Sequence, residues 1–560
     1  MTNSTTNRTT LESFSLLDNP WIKCENLDGE TVEFSLRDIF DRENYVKAVR
    51  GDSPAQDYAV LRVLLAIYWR AHHPETKVKG RQTFDSGIWF ENALEQSRSG
   101  SPDSAVLEYL EKLRDRFDLL HPVTPFMQVA DLHTLSGSTS DVERIVPEAE
   151  QNYFTMRSGA GREILEFPEA ARWLIYAQAY DYSGIKSGAV GDSRVKNGKG
   201  FPIGTGWTGM TGGTVLEGAT LRETLVLNTT GDALVKEHDL PVWERDPDTA
   251  AERSDPHPSG AADLATWQSR RIRLHVEDGV VSAVLVSNGD RIPDAGANIL
   301  LDPMTPYRFS KNKSKGNRTV YYPRPYDVER TMWRSLEPLV TLEGDPGFDD
   351  KNAAPKRPEI LNQLAFLAGE SEEEINIANL RLVSVEYGPQ ASSVATTVSA
   401  QIEIPVALLR ENARQARRAV LDVANASSNA GIALGSFAGM LLVAAGGDYA
   451  FQPAPTDTLL ARLEVEFITW LSGLDTADLT RHSTQWQRFV RKEVLDEAGV
   501  LLRGAGPRAL IGREVSQPGS DETRLTSAGT AYRWLVRRLS NVLPLSTPED
   551  TPTQETQDAR

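Results

Sequence analysis

Pro405-Val-Ala-Leu-Leu-Arg410-Glu-Asn-Ala-Arg414-Gln-Ala-Arg417-Arg418 marks the point where the chain changes character. Beyond it, helical patterns run over 405–445, 457–473, 478–503 and 521–541, separated by short Gly/Pro/Asp connectors. Four such segments predict a C-terminal four-helix bundle over 401–545. Arg410, Arg414, Arg417 and Arg418 recur at i, i+4, i+7 and i+8, which places them on one helix face. Such a stripe suits nucleic-acid phosphates, and equally a solvated face or a contact with a neighbouring subunit. The apolar run 431–447 is too short for a membrane span and rich in Gly and Ala, so it reads as a buried helix. The Pro-, Thr- and Asp-rich tail 546–560 is expected to be disordered.

Residues 1–10 are polar and read as a disordered N-terminus without an apolar signal region. Between them and the bundle, 11–400 mixes patterns, so the fold class is α+β: a mixed α/β N-terminal globular domain followed by the bundle. Helices are predicted over 57–72, 105–120 and 168–180, and a long loop over 122–150. A strand is predicted over 221–228 and a flexible polar excursion over 243–262. Strands return over 267–288, where Arg271, Arg273 and His275 alternate with Ile272, Leu274 and Val276, predicting a basic exposed face. A basic hairpin or loop is expected over 309–323. Strands over 381–385 and 394–404 bracket a turn at Gly388-Pro389.

Between Gly184 and Gly213 stand ten glycines, four basic residues (Lys186, Arg194, Lys196, Lys199) and one acid, Asp192. Bare backbone lets N–H groups approach something flat or anionic. The local positive charge narrows that to a phosphate-bearing partner, although the whole chain carries a net charge of −18. Screening confines each charge's field to about 10 Å, so an acidic body tolerates local basic patches. The single cysteine, Cys24, excludes a disulfide framework and a cysteine-cluster zinc site, and suits a reducing cytoplasm. No phosphate-binding G-x-x-x-x-G-K-[ST], no G-x-S-x-G and no H-E-x-x-H occurs. Two enzyme readings stay open beside a non-enzymatic one: a metal-dependent nuclease with carboxylates converging only in space, and a glycine-loop nucleotide binder.

Leu16-Leu-Asp-Asn-Pro-Trp21-Ile, then His121-Pro-Val-Thr-Pro-Phe126-Met-Gln128, then the glycine loop, then the C-terminal helices follow one another in a distinctive order. In this order the chain resembles the CasA family, the large subunit of Cascade, the type I-E CRISPR RNA-guided DNA surveillance complex. The resemblance covers roughly 11–543. It implies a cytoplasmic, non-catalytic subunit without metal or organic cofactor and without membrane attachment. Its implied partners are the backbone and small subunits of Cascade, the 5′ handle of the CRISPR RNA, target double-stranded DNA and a helicase–nuclease. Its implied task is to inspect a protospacer-adjacent motif from the minor groove and help open the duplex into an R-loop. Base pairing then reads the sequence while protein reads a short motif.

The resemblance also assigns residues. Tyr387-Gly388-Pro389-Gln390-Ala-Ser matches a glutamine wedge with Gln390 at its tip; the plain alternative is a solvated hairpin turn. Ser183-Gly184-Ile-Lys186-Ser-Gly188 matches the glycine loop, with Lys186 and Ser187 where some members carry glycine. A basic finger falls on Arg308 or Lys311, and a solvated charge run is the alternative. Phe154 matches an aromatic anchor for the RNA handle, against an ordinary core role. The bundle arginines would meet the displaced DNA strand or another subunit.

Overall fold

Helix Pro54–Ala71 is largely apolar and runs through the interior: fifteen of its 18 residues are buried. Ser53 caps its first turn by accepting from the Gln56 N–H, and Pro54 takes the first helical position, where no N–H is needed. Buried Arg62 lies 2.8 Å from the Asp302 carboxylate and donates to the Tyr58 hydroxyl. Asp302 also accepts from the indole N–H of fully buried Trp207 at 2.6 Å. That bond ties the far end of the glycine-rich stretch to the centre of the core.

The computed structural model describes residues 13–546 except 42–44, 75–76, 79–80, 83, 148–162, 317, 328–330, 350, 371–374, 475 and 517–522. The chain divides into two compact units, the first made of Met1–Val328, Thr341–Gly344 and Phe348–Ile402. Around the core helix the first unit arranges several small antiparallel sheets. Ile22–Asn26 pairs with both Thr31–Phe34 and Val46–Val49. Arg270–Glu277 and Val280–Asn288 form a hairpin. Ile377–Tyr387 is the middle strand of a third sheet, flanked by Val394–Pro405 and by Gly213–Leu216, with Val383 opposite Gly213. The mixed α and β architecture is as the sequence predicts.

Four local expectations change. The run 221–228 is a helix, Leu221–Leu227, not a strand. Thr220 accepts from the Glu223 N–H and Glu223 reaches back to the Ala219 N–H, so a helix start signal outweighs the aliphatic run. The helix expected over 105–120 ends at Lys112 and passes into a tighter turn, Arg114–Phe117. The segment 243–262 is not a loose excursion: Arg253 donates to Asp290 at 2.7 Å and lies over the Trp267 ring. The basic face expected of Arg271, Arg273 and His275 is absent at its start, where Arg271 is buried on Asp290; Arg270, on the opposite face of the strand, is buried on Asp181. A carboxylate partner makes burial of an arginine tolerable where alternation alone would put it in water.

The second unit comprises Glu329–Val340, Asp345–Gly347 and Glu403–Arg560. Its centre is the 31-residue helix Arg414–Ala444, packed by Pro453–Ser472, Leu479–Gly504 and Ala528–Val542. Thr331–Val340 and the short Gly506–Ile511 also pack on it. Gly431, Gly435 and Gly439 form a stripe along the central helix. A Cβ on Gly435 would stand 2.4 Å from Thr456 Oγ1, so bare backbone sets how closely Pro453–Ser472 approaches. Glu411–Ala444 is the one helical stretch, among the described residues, apolar and long enough to cross a membrane. Of its apolar window, 61% is buried inside the protein, which is the burial expected of a bundle core.

Candidate nucleic-acid interface

The glycine loop and the Gln390 turn lie some two hundred residues apart in sequence and are joined at three places. The exit strand of the loop, Gly213–Leu216, pairs with the rising strand of the turn hairpin. The Ser183 N–H donates to the Ala391 carbonyl at 2.7 Å. The Tyr387 hydroxyl donates to the Tyr180 carbonyl at 3.0 Å, satisfying a carbonyl at the end of helix Phe167–Tyr180 that has no partner within the helix. Tyr387 comes so close that a Cβ on Gly209 would lie 2.3 Å from its hydroxyl oxygen, so that position requires glycine.

At the hairpin tip, Gly388-Pro389-Gln390-Ala391 forms a single tight turn. The Gly388 N–H donates to Ser393 O, and the Ala391 N–H to Gly388 O. Pro389 and Gln390 are exposed. Gln390 has φ 57° and ψ 22°, and Ala391 φ 52°, both in the left-handed region. A non-glycine residue there costs about 1–2 kcal/mol. The Gln390 side chain therefore stands on a turn held in a sparsely populated conformation by the strands beneath it.

Beneath the loop sits a buried charge cluster. Asp181, the residue after helix Phe167–Tyr180, meets Arg270, Arg144 at 2.8 Å and Lys186 at 3.1 Å. Arg270 also donates to the carbonyls of Tyr182 and Gly204, both at 2.9 Å, so one guanidinium clasps the loop at entry and exit. Burial alone would raise the Asp181 pKa. Arg270, Arg144 and Lys186 outweigh it and hold the carboxyl ionised, well below its usual range.

Lys186 belongs to this cluster and not to the surface, which corrects its assignment as a DNA contact. It is buried, donates to the Tyr182 carbonyl at 2.9 Å and lies 4.0 Å from the Tyr182 ring centre. Burial, reinforced by Arg144 and Arg270, brings its pKa down from 10.5 to about 7 despite Asp181. The unfolded chain then binds more protons between pH 7 and 10.5, so this group makes stability rise with pH across that window. Thermal melts at pH 7 and pH 9 should show that rise in the wild type and a smaller one in Lys186→Met. An equal rise in both would show that Lys186 does not titrate there.

Gly188 is also removed from any surface contact: its N–H donates to the Gly198 carbonyl at 3.0 Å, and it is buried. The Gly184 N–H is occupied by the Tyr182 carbonyl at 3.1 Å. The expected open cradle of backbone donors is instead a small ladder, Lys186–Ser187 on Lys199–Gly200. Half-buried Ser183 accepts from the Gly204 N–H through its hydroxyl oxygen, which leaves the hydroxyl proton to donate outward. Lys196 and Lys199 are exposed and have no ion-pair partner among the described residues. Arg194 is held by Asp192 and Glu252.

The basic hairpin is Tyr307–Phe309 paired with Tyr321–Pro323. Its connecting loop is fastened by Ser310 N–H to Val320 O and by Val320 N–H to the Ser314 hydroxyl. Arg308, Lys311, Lys313, Lys315 and Arg318 are all exposed, with no acid between them and no ion-pair partner among the described residues. Arg308 rests over the Tyr322 ring at 5.4 Å. Phe154 lies outside the described residues.

The arginine stripe does not persist as a stripe. Arg410 precedes the long helix, which begins at Arg414. Arg417 is buried, donating to both oxygens of Asp345 at 2.7 and 2.8 Å and to the carbonyls of Leu408 and Arg410. It secures the start of the helix and is unavailable to phosphates. Arg414 and Arg418 remain exposed, Arg418 paired with Asp422 at 2.8 Å. Sequence reasoning assigns no role to Asp181 or Arg270, and to Tyr387 only a place in the turn motif. The one available signal is an acid standing directly between a helix end and a glycine-rich stretch.

This arrangement, two loop tips welded together beside a charged hairpin, defines a protein built to present exposed polar and basic groups from a fixed base. The chain belongs to the CRISPR-associated protein Cse1 family, whose model matches residues 15–496. A CasA/Cse1 protein of Thermus thermophilus is 28% identical over 347 residues, which span 60% of this chain and 61% of that relative. The crystal structure of Thermobifida fusca Cse1 superposes with a TM-score of 0.83 at 36% identity, covering 96% of this chain and 99% of that one. A chain of a CRISPR RNA-guided surveillance complex shares the fold, with a TM-score of 0.64 at 21% identity, covering 87% and 99%.

Proposed function

We propose that this chain is the non-catalytic large subunit of a type I-E Cascade complex, and that it reads a protospacer-adjacent motif from the minor groove of duplex DNA. In this reading Gln390, on Pro389, is pressed against a base pair at the motif edge and starts duplex opening. Ser183 and Gly184 line the groove beside it. Arg308 or Lys311, with the neighbouring cations of the same hairpin, neutralises phosphates. The CRISPR RNA handle, the backbone and small subunits and a helicase–nuclease complete the set of partners. Arg410, Arg414 and Arg418 are left for the displaced strand or a neighbouring subunit.

The observation that carries the reading is the bond between the Ser183 N–H and the Ala391 carbonyl. It makes a groove-lining loop and a wedge one rigid piece, as differential recognition of a narrow groove demands. A donor in the minor groove meets acceptors on every base pair, and only the guanine amino group obstructs it. The test follows from that. In the reconstituted complex, a rejected G·C pair in the motif should be accepted when inosine replaces guanine, because only the minor-groove amino group is lost. Competition binding should show a gain of about tenfold, within the 1–3 kcal/mol of a typical base-pair discrimination. Binding unaffected by inosine at every motif position would overturn the minor-groove reading.

A further inference from the structure

The ladder under the glycine loop carries two large apolar side chains on its outer side. Lys186 stands opposite Gly200, and Ser187 opposite Lys199. Continuing that register sets Ile185 opposite Phe201 at the open end. Side chains alternate along a strand. Lys186 turns inward to Asp181, and Gly200 faces Asn288 so closely that a Cβ would lie 2.8 Å from its amide nitrogen. Ile185 and Phe201 therefore share the outward face with Lys199. They are 58% and 53% exposed. A folded chain gains nothing from a paired isoleucine and phenylalanine in water on a loop tip, and a tip this firmly built does not expose them by accident of mobility. The Asn288 side chain donates to the Phe201 carbonyl at 2.7 Å, fixing where the ring is presented.

Their neighbourhood names the occupant. Ile185 is two residues from Ser183, which is bonded to the residue next to Gln390. At ~3.5 Å per residue the pair lies within a few base-pair steps of the wedge. The nearest exposed charges along the chain, Lys196 and Lys199, are both positive. An apolar pair edged by lysines fits a furrow with apolar walls and an anionic rim, which the deoxyribose walls and phosphate edges of a minor groove provide. Phenylalanine and isoleucine are also the side chains that enter that groove between unstacked bases.

We infer that Ile185 and Phe201 form a second, apolar wedge that seats in the minor groove of the same duplex, beside the step opened by Gln390. This rests on the motif-reading function proposed above. Gln390 breaks the pair, and Phe201 covers the base face thereby exposed, so that the duplex does not simply reclose. Lys199 meets the adjacent phosphate.

The experiment uses the reconstituted complex with duplexes carrying 2-aminopurine, one position at a time, across the motif and the first paired steps. Phe201→Ala should lower motif-duplex affinity about tenfold, the scale of one base–aromatic stack, and abolish the fluorescence change at one position. Phe201→Trp should restore both. Lys199→Ala should reduce the slope of log affinity against log salt by about one without altering that fluorescence change. Co-purification with CRISPR RNA checks that both Phe201 variants assemble. If Gln390→Ala impairs opening while Phe201→Ala matches wild type, the apolar wedge is refuted and the motif-reading function stands. If neither variant affects opening, both are refuted.

Discussion

Gln390→Ala should lower the rate of motif-dependent duplex opening by about a hundredfold while leaving the protein's stability unchanged. The two halves of this expectation have separate physical grounds. Alanine keeps the Cβ, so the left-handed backbone at φ 57° is as strained in the variant as in the wild type. The side chain is exposed, so its removal leaves no cavity. What is lost is the planar amide that enters the base step. Unstacking a step costs a few kcal/mol, and about 2.7 kcal/mol corresponds to a hundredfold in rate. Gln390→Gly separates the terms further. Glycine relieves the left-handed penalty, so the turn should become more stable by roughly 1 kcal/mol, less what glycine loses in unfolded-state entropy. Opening should still fail. Stopped-flow fluorescence of a labelled duplex and denaturant unfolding of the same variants measure the two quantities. Opening at the wild-type rate in both variants would remove Gln390 from the mechanism.

Much of this architecture is legible in the amino-acid order, and the limits of legibility are physical. Helix Pro54–Ala71, the strands around Gly388-Pro389 and the long C-terminal helices follow from periodicity and from proline and glycine punctuation, which are local signals. Leu221–Leu227 reads as a strand because aliphatic residues suit both strand and buried helix, and the Thr220–Glu223 start signal decides between them. Charge is the poorest guide. Lys186, Arg270, Arg271 and Arg417 look like surface cations in one dimension. Each is buried on a carboxylate remote in sequence or, for Lys186, five residues away. No spacing rule reveals such a partner. The turn at Gln390 can be placed because Pro389 and Gly388 encode it locally. Its union with Ser183 depends on strand pairing across some two hundred residues, which the sequence does not display.

Asp181→Ala is expected to cost the N-terminal unit about 3–5 kcal/mol, the usual penalty for removing one side of a buried ion pair. The carboxylate faces Arg270, Arg144 and Lys186 at once. Lys186 can escape by losing its proton, since its pKa is already down at about 7 with Asp181 present. Arg270 has no such escape, because a guanidinium stays charged in any protein interior. Asp181→Asn keeps the shape and one acceptor but not the charge, so it should fall between wild type and alanine. Adding Lys186→Met to Asp181→Ala should therefore recover little of the loss, because the lysine has already shed its charge while Arg270 stays stranded in both variants. The functional consequence follows from the clasp. Arg270 oriented by Asp181 holds Tyr182 and Gly204 together, and with them the Ser183 contact to the wedge turn. Loosening that clasp should erase the preference for motif over non-motif duplex. The cations of the 308–318 hairpin do not rest on Asp181, so salt-dependent non-specific binding should persist. Equilibrium unfolding and paired binding titrations test the two halves. An alanine variant within about 1 kcal/mol of wild type that still discriminates the motif would show that the cluster neither stabilises the loop nor positions it.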